Sequence, residues 1–166
     1  MRIDEKKIFS EIEQVKPKSI LFSCPDGYLA KVQQLASRIE KEYNIQTIIS
    51  ADPTYGCCDI MDDEASRLGA DLAFHIGHNS ALTRIGKQTV LIDVYEDIDF
   101  TKVIKKSLLS LKEYNQLGLC TISQYLHQIK SSKKMLEEAG FKIYIGKGHE
   151  RLMDGQIMGC RFSPIF

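Results

Sequence analysis

The chain has 166 residues, enough for one domain or one and a half, and 43% of them are hydrophobic, enough for a buried core. Lys+Arg and Asp+Glu both total 22, so the formal net charge is zero and there is no basic excess to drive binding to nucleic acid or to an anionic membrane. No apolar run reaches the roughly eighteen residues of a membrane-spanning helix, and the N-terminal MRIDEKKIFSEIEQVK lacks the apolar stretch of a signal peptide, so a cytoplasmic location is expected.

Residues 4–15 read as a helix with Ile8, Ile12 and Val15 on one face, stopped by Pro17. Ser19-Ile20-Leu21-Phe22-Ser23 is a short apolar run that predicts a buried strand. Leu29, Val32, Leu35, Ala36 and Ile39 place a helix over 28–42, and Ile45 to Ala51 is a second β-rich run. A short helix over about 61–68 ends at Gly69, a left-handed cap. Leu72–Ile76 and Val90–Val94 give a third and a fourth strand.

The second part repeats the pattern. Val103, Ile104, Leu108 and Leu111 mark a helix over 101–113, Leu117–Ile122 a strand, 124–139 a helix closed by Gly140, and Phe141–Ile145 another strand. Strands that are apolar runs and alternate with helices predict an α/β fold whose parallel sheet is covered on both faces. The acidic stretch Tyr95-Glu96-Asp97-Ile98-Asp99 sets a boundary: a Rossmann-like parallel sheet domain over 1–95, then a second α/β unit over 96–166. With two clear strands before the last residue, that second unit is expected to be incomplete.

Five cysteines, an odd number, in a chain without an export signal argue against a disulfide framework and leave free or metal-bound thiols. Cys24 and Cys120 sit in or at the end of apolar runs and read as small buried hydrophobes. Two others lie roughly a hundred residues apart in glycine-marked loops that follow strands: Tyr55-Gly56-Cys57-Cys58-Asp59 and Gly155-Gln156-Ile157-Met158-Gly159-Cys160. Neither has the close-spaced partner of a zinc ribbon.

Open parallel sheets bind ligands outside the carboxyl ends of their strands. That rule gathers Cys24-Pro25-Asp26-Gly27, the 52–59 loop and His75-Ile76-Gly77-His78 on one edge. It puts Gly146-Lys147-Gly148-His149-Glu150-Arg151 and the Cys160 loop on the corresponding edge of the second unit. If those edges face each other, Cys58 and Cys160 meet in one cleft. Each residue also has a plainer reading: Asp26 as a helix cap, Asp62 and Asp63 as complements to a helix N-terminus, His75 as a hydrogen-bonded structural residue. Gly-Lys-Gly at 146–148 is too short for a phosphate-binding loop. Because neighbouring side chains in extended backbone point apart, Cys57 and Cys58 are not expected to bind the same metal; the expectation is one ligand and one packing residue.

The segments Asp52–Asp59, Asp62-Asp63-Glu64-Ala65, Leu68–Asp71 and His75–His78 resemble the first cysteine motif of the diphthamide-synthesis iron–sulfur proteins. Pro25-Asp26-Gly27 resembles that family's Pro-Glu-Gly segment, with Asp for Glu. Gly146-Lys147-Gly148, Arg151 and Gly155–Cys160 resemble the approach to its second cysteine. The match runs in order from about residue 20 to 162.

The resemblance implies three related α/β domains that each give one cysteine to a [4Fe–4S] cluster, whose open iron binds S-adenosylmethionine. It implies transfer of the 3-amino-3-carboxypropyl group, as a radical, to a histidine of translation elongation factor two, the first step of diphthamide formation. By position, Cys58 and Cys160 match the first two metal ligands, with Cys57 at the family's Ala. Asp26, Gly27, His78, Arg151 and Gln156 are the candidates for binding S-adenosylmethionine. The third ligand has no counterpart, so the expectation is a fragment or split subunit, completed as a homodimer or by a polypeptide supplying the missing domain. The alternative is a non-catalytic partner subunit of the same fold. No membrane and no direct nucleic-acid contact are expected.

Overall fold

The computed structural model of the chain describes residues 2–56, 58–79, 81–82, 84–86 and 88–159. They fall into two compact units, one spanning Arg2–Val94 and the other beginning at Tyr95.

In the first unit a two-residue strand, β1 (Arg2–Ile3), precedes α1 (Glu5–Val15). Asp4 caps that helix by accepting the Lys7 N–H at 3.2 Å. The helix ends where Lys16 turns left-handed, one residue before Pro17, whose ring cannot continue it. β2 (Ser19–Ser23), α2 (Leu29–Tyr43), β3 (Gln46–Ile49), α3 (Asp62–Leu68), β4 (Leu72–Ile76), β5 (Arg84–Ile85) and β6 (Thr89–Ile92) follow, and the chain leaves through β7 (Val94–Tyr95).

The sheet order is β3-β2-β4-β6-β5. The first four strands run parallel, as the apolar runs predict, and β5 is an antiparallel edge. Register partners share a pleat. Phe22 lies opposite Phe74, both fully buried with ring centroids 5.6 Å apart, and each contributes about 1.5–3 kcal/mol by leaving water. On the other face Leu21 lies opposite Ala73, and these pack with Ala65 of α3 and with Ala70; small residues let that short helix sit close to the sheet. At the amino end of the strands Asp71 Oδ2 accepts the Lys18 and Ser19 N–H groups at 2.7 and 3.2 Å, and Ser19 Oγ donates to the Gly69 carbonyl at 2.9 Å.

β5 has no apolar run to announce it. Asp62 holds the turn after it: Oδ1 accepts the Thr89 N–H at 3.0 Å and the Thr89 hydroxyl. A Cβ on Gly86 would fall 2.0 Å from Asp62 Oδ2. Asp62 is thus more than a helix-dipole complement.

The second unit contains α4 (Thr101–Leu111), β8 (Gln116–Gly118), a 3-10 segment Ser123–Gln128, α5 (Ile129–Glu138) and β9 (Lys142–Tyr144). β8 and β9 pair in parallel, joined through α5. Two elements differ from expectation. The strand expected over Leu117–Ile122 is regular only to Gly118, because Thr121 turns to the 155–157 segment: its N–H donates to the Gly155 carbonyl at 2.9 Å and its carbonyl accepts the Ile157 N–H at 2.8 Å. The helix expected over 124–139 opens as a tighter 3-10 coil. There Tyr125 and His127 meet the Phe100 and Tyr95 rings edge-on, and His127 Nε2 bonds Asp97 at 2.9 Å. Gly148 permits a close backbone crossing, since a Cβ there would lie 2.1 Å from the Leu152 carbonyl oxygen. Among the described residues no helix is long and apolar enough to cross a membrane.

Candidate functional site

Four parallel strands deliver their carboxyl-end loops to one edge of the first unit. β2 gives Cys24, Pro25 and a 3-10 turn Asp26–Tyr28, β3 gives the 50–61 segment, β4 gives Gly77-His78-Asn79, and β6 gives Asp93. These loops are tied together. Gly77 N–H donates to the Ile92 carbonyl at 3.1 Å, and Asn79 Nδ2 donates to Asp93 Oδ1. Gly77 adopts φ 95, and a Cβ there would stand 2.7 Å from the Tyr28 ring, so glycine is what lets β4's exit lie under that ring.

Cys58 sits exposed on the turn Tyr55–Asp59. Asp59 folds that turn back on itself: Oδ2 accepts the Tyr55 and Gly56 N–H groups at 2.7 and 2.8 Å, while its own N–H donates to the Gly56 carbonyl at 3.0 Å. A carboxylate accepting two backbone donors is a strong local clamp. Cys24 is the opposite kind of thiol. It is 4% exposed, and burial, aided by the negative charge of Asp26, pushes its pKa up to about 11. The thiolate a metal needs is therefore scarce there.

His75, the fourth residue of β4, is fully buried beside its register partner on β2. Its Nδ1 lies 3.1 Å from Ser23 Oγ. Its ring packs on that of His78, centroids 5.6 Å apart at 38°. Burial pulls the His75 pKa down to about 4, helped by His78 and opposed by the Asp59 carboxylate and the Gly56 backbone. Burial also lowers His78, again opposed by Asp59. Both rings are thus neutral near neutral pH, able to give or accept a hydrogen bond without carrying charge. His75 Nε2, His78 Nδ1 and Thr54 Oγ1 are buried without a hydrogen-bond partner. The Gly56 backbone bears on His75, but Nε2 makes no hydrogen bond of ordinary geometry to it.

Of the residues singled out from sequence, Asp26, Gly27, Cys58 and His78 share the carboxyl edge of the first unit. Asp26 and Gly27 are exposed at the start of the 3-10 turn, and α2 begins at Leu29 without a side-chain cap. Arg151 and Gln156 belong to the second unit. Arg151 is half-buried; Gln156 is 1% exposed, and its Oε1 accepts the Met153 N–H at 3.1 Å. Cys57 and Cys160 lie outside the described residues. Among the described residues no three His, Cys, Asp or Glu side chains converge on one possible metal position. Cys58, an exposed thiol on a clamped turn, fits as a single donor to a metal centre.

Sequence reasoning assigned no role to Ser23, Asp59 or Gly77. Asp59 could have been found from its place just after Tyr55-Gly56, where a short carboxylate can reach back to free N–H groups. Ser23 could have been suspected as a polar residue closing an apolar strand. Nothing in the sequence around Gly77 announces its approach to Tyr28.

A family model described as putative diphthamide synthesis protein matches residues 24–166. The 2-(3-amino-3-carboxypropyl)histidine synthase of Pyrococcus horikoshii is 29% identical over 163 residues, 97% of this chain and 47% of that protein. Subunit 1 of the same-named synthase from Dictyostelium discoideum is 30% identical over 161 residues, 96% of this chain and 34% of that protein. The crystal structure of Dph2 from Pyrococcus horikoshii with a 4Fe-4S cluster superimposes with a TM-score of 0.90 at 28% identity, covering 99% of this chain and 49% of that one. The chain thus spans about half the length, or less, of the curated relatives it matches.

Proposed function

The chain belongs to the diphthamide-synthesis protein family, and from that premise we propose that it takes part in moving the 3-amino-3-carboxypropyl group of S-adenosylmethionine to a histidine of translation elongation factor two. The observation that carries this reading is Cys58, an exposed thiol on a clamped turn at the carboxyl edge of a parallel sheet, where such sheets bind ligands.

In this reading Cys58 holds one iron of a [4Fe–4S] cluster, and Cys160 supplies a second thiolate. When bound, such a cluster supplies the electron and the open iron site for cleavage of S-adenosylmethionine. The residues of this chain do the rest. Asp59 fixes the direction of the Cys58 turn by accepting two backbone N–H groups. Cys24, buried and protonated, does not compete for iron. Asp26, Gly27 and His78 line the edge that receives S-adenosylmethionine. In the second unit Arg151 offers a cation, and Gln156 holds the turn that leads to Cys160. The chain works with a second copy or with another polypeptide of the same fold, and the work is done in the cytoplasm.

The test is iron uptake after anaerobic reconstitution with iron and sulfide, in the presence of a polypeptide that supplies the rest of the family fold. Cys58→Ser is expected to lose most of the iron and Cys57→Ser little. Equal losses, or a larger loss at Cys57, would sink the assignment.

A further inference from the structure

Between α4, α5 and the chain leaving β8, the second unit holds a cavity of about 160 Å³. Phe100 and Ile104 wall it at the start of α4, Ile129 and Leu136 on α5, and Cys120 and Thr121 just past the carboxyl end of β8. Interiors packed to native density leave few voids larger than a water, and a cavity of about 150 Å³ lined by aliphatic and aromatic side chains stays dry and takes up benzene. Here three small side chains, Cys120, Thr121 and Ser132, stand where larger ones would close the space. Ile129 and Leu136 are buried while Phe100, Ile104 and Ser132 are half-buried, so the cavity has a floor and a mouth. It also lies at the end of a parallel strand, where α/β sheets receive ligands.

We propose that this cavity binds a small uncharged aromatic group, of about the size of benzene or phenol, and that filling it steadies the segment that leads to Cys160. Among its described walls no side chain is charged, so an ionic ligand would lose water without gaining a counter-charge. The Phe100 and Tyr125 rings meet edge-on, centroids 5.5 Å apart, and offer an aromatic ligand the same kind of contact. Thr121, Tyr125 and Ser132 supply hydroxyls for one polar substituent. Two walls reach the downstream segment. Thr121 N–H donates to the Gly155 carbonyl at 2.9 Å, and the Thr121 carbonyl accepts the Ile157 N–H at 2.8 Å. Ile129 lies so close that a Cβ on Gly155 would fall 2.5 Å from its Cδ1. A ligand held against Thr121 and Ile129 binds only while these contacts are formed, and so stabilises the 155–157 segment by mass action. The bearing on the iron site rests on the reading of Cys160 as a ligand; the binding does not.

The test is titration of the metal-free full chain with benzene, phenol and benzoate, followed by methyl NMR and residue-resolved amide hydrogen exchange. Benzene and phenol are expected to shift the Ile104, Ile129 and Leu136 methyl signals, and benzoate to leave them in place. At about ten times Kd, exchange at Thr121 and Ile157 should slow about tenfold, with Leu21 and Phe74 of the first unit unchanged. Ser132→Phe fills the cavity and should abolish both effects; Cys120→Leu, which intrudes less, decides the matter if the former does not fold. No methyl shifts, equal binding of benzoate, or binding that survives these substitutions would overturn the site. Binding without slower exchange at Thr121 and Ile157 would overturn the coupling. Unchanged iron uptake in Cys160→Ser would instead overturn the reading of Cys160 and leave the cavity result standing.

Discussion

Gly77→Ala probes how tightly the exit of β4 is packed into the candidate site. The position has φ 95, where a side chain costs about 1–2 kcal/mol in backbone strain alone. The new methyl would lie 2.7 and 3.2 Å from two carbons of the Tyr28 ring and 3.5 Å from Pro25 Cδ. Overpacking of this kind costs about 1–3 kcal/mol, and the low end applies because Tyr28 is only half-buried and its ring can swing outward. The expected loss is about 2–3 kcal/mol, read by urea unfolding with far-ultraviolet circular dichroism and by native-state exchange of the β4 amides. In a Tyr28→Ala background the steric part disappears and the same substitution costs only its strain, about 1–2 kcal/mol. A loss below about 0.5 kcal/mol would refute the strain argument. A loss as large without Tyr28 as with it would refute the contact.

Stability should fall with acid through His75. The unfolded ring takes up its proton near pH 6.5 and the folded one only near pH 4, so the contribution is complete above 6.5 and shrinks by about 3 kcal/mol on the way down to 4; His75→Gln should flatten that limb of a pH–stability curve, and an unchanged curve would contradict the buried neutral ring. Asp62→Ala strips buried Thr89 of an acceptor for both its N–H and its hydroxyl and should cost about 2–3 kcal/mol, with Asp62→Asn closer to wild type in the same unfolding assay. Iodoacetamide at pH 8 should modify exposed Cys58 in the folded chain and reach Cys24 only on unfolding, as peptide mass spectrometry would show.

Much of the fold is readable because β2, β4 and β6 are short, largely apolar runs, and period, length and punctuation all agree there. β5 escapes such reading: it is two residues long, and it pairs with a strand, β6, whose first residue Thr89 is held by Asp62 of a distant helix. The 3-10 coil at 123–128 escapes for the same reason, since its edge-on ring contacts reach back to Tyr95 and Phe100. In the site, the strand-end rule is enough to put Cys58 and His78 on one edge, because loop position follows from topology alone. Residues that work through geometry rather than identity stay hidden. Ser23 and His75 become a pair only once β2 and β4 are known to be neighbours in a given register, and Gly77 matters only because a ring more than forty residues earlier packs over it.

The Asp71 carboxylate grips the backbone where β2 begins, at the end of the sheet away from the Cys58 turn. The alignment of β2 with β4 is therefore set without help from the loops that meet the ligand. The segment between β3 and α3 can therefore be lengthened, shortened or exchanged with little penalty to the strands beneath. A frame built this way separates heritable shape from adjustable chemistry: graft a different segment between β3 and α3, and the same sheet would present it at the same edge.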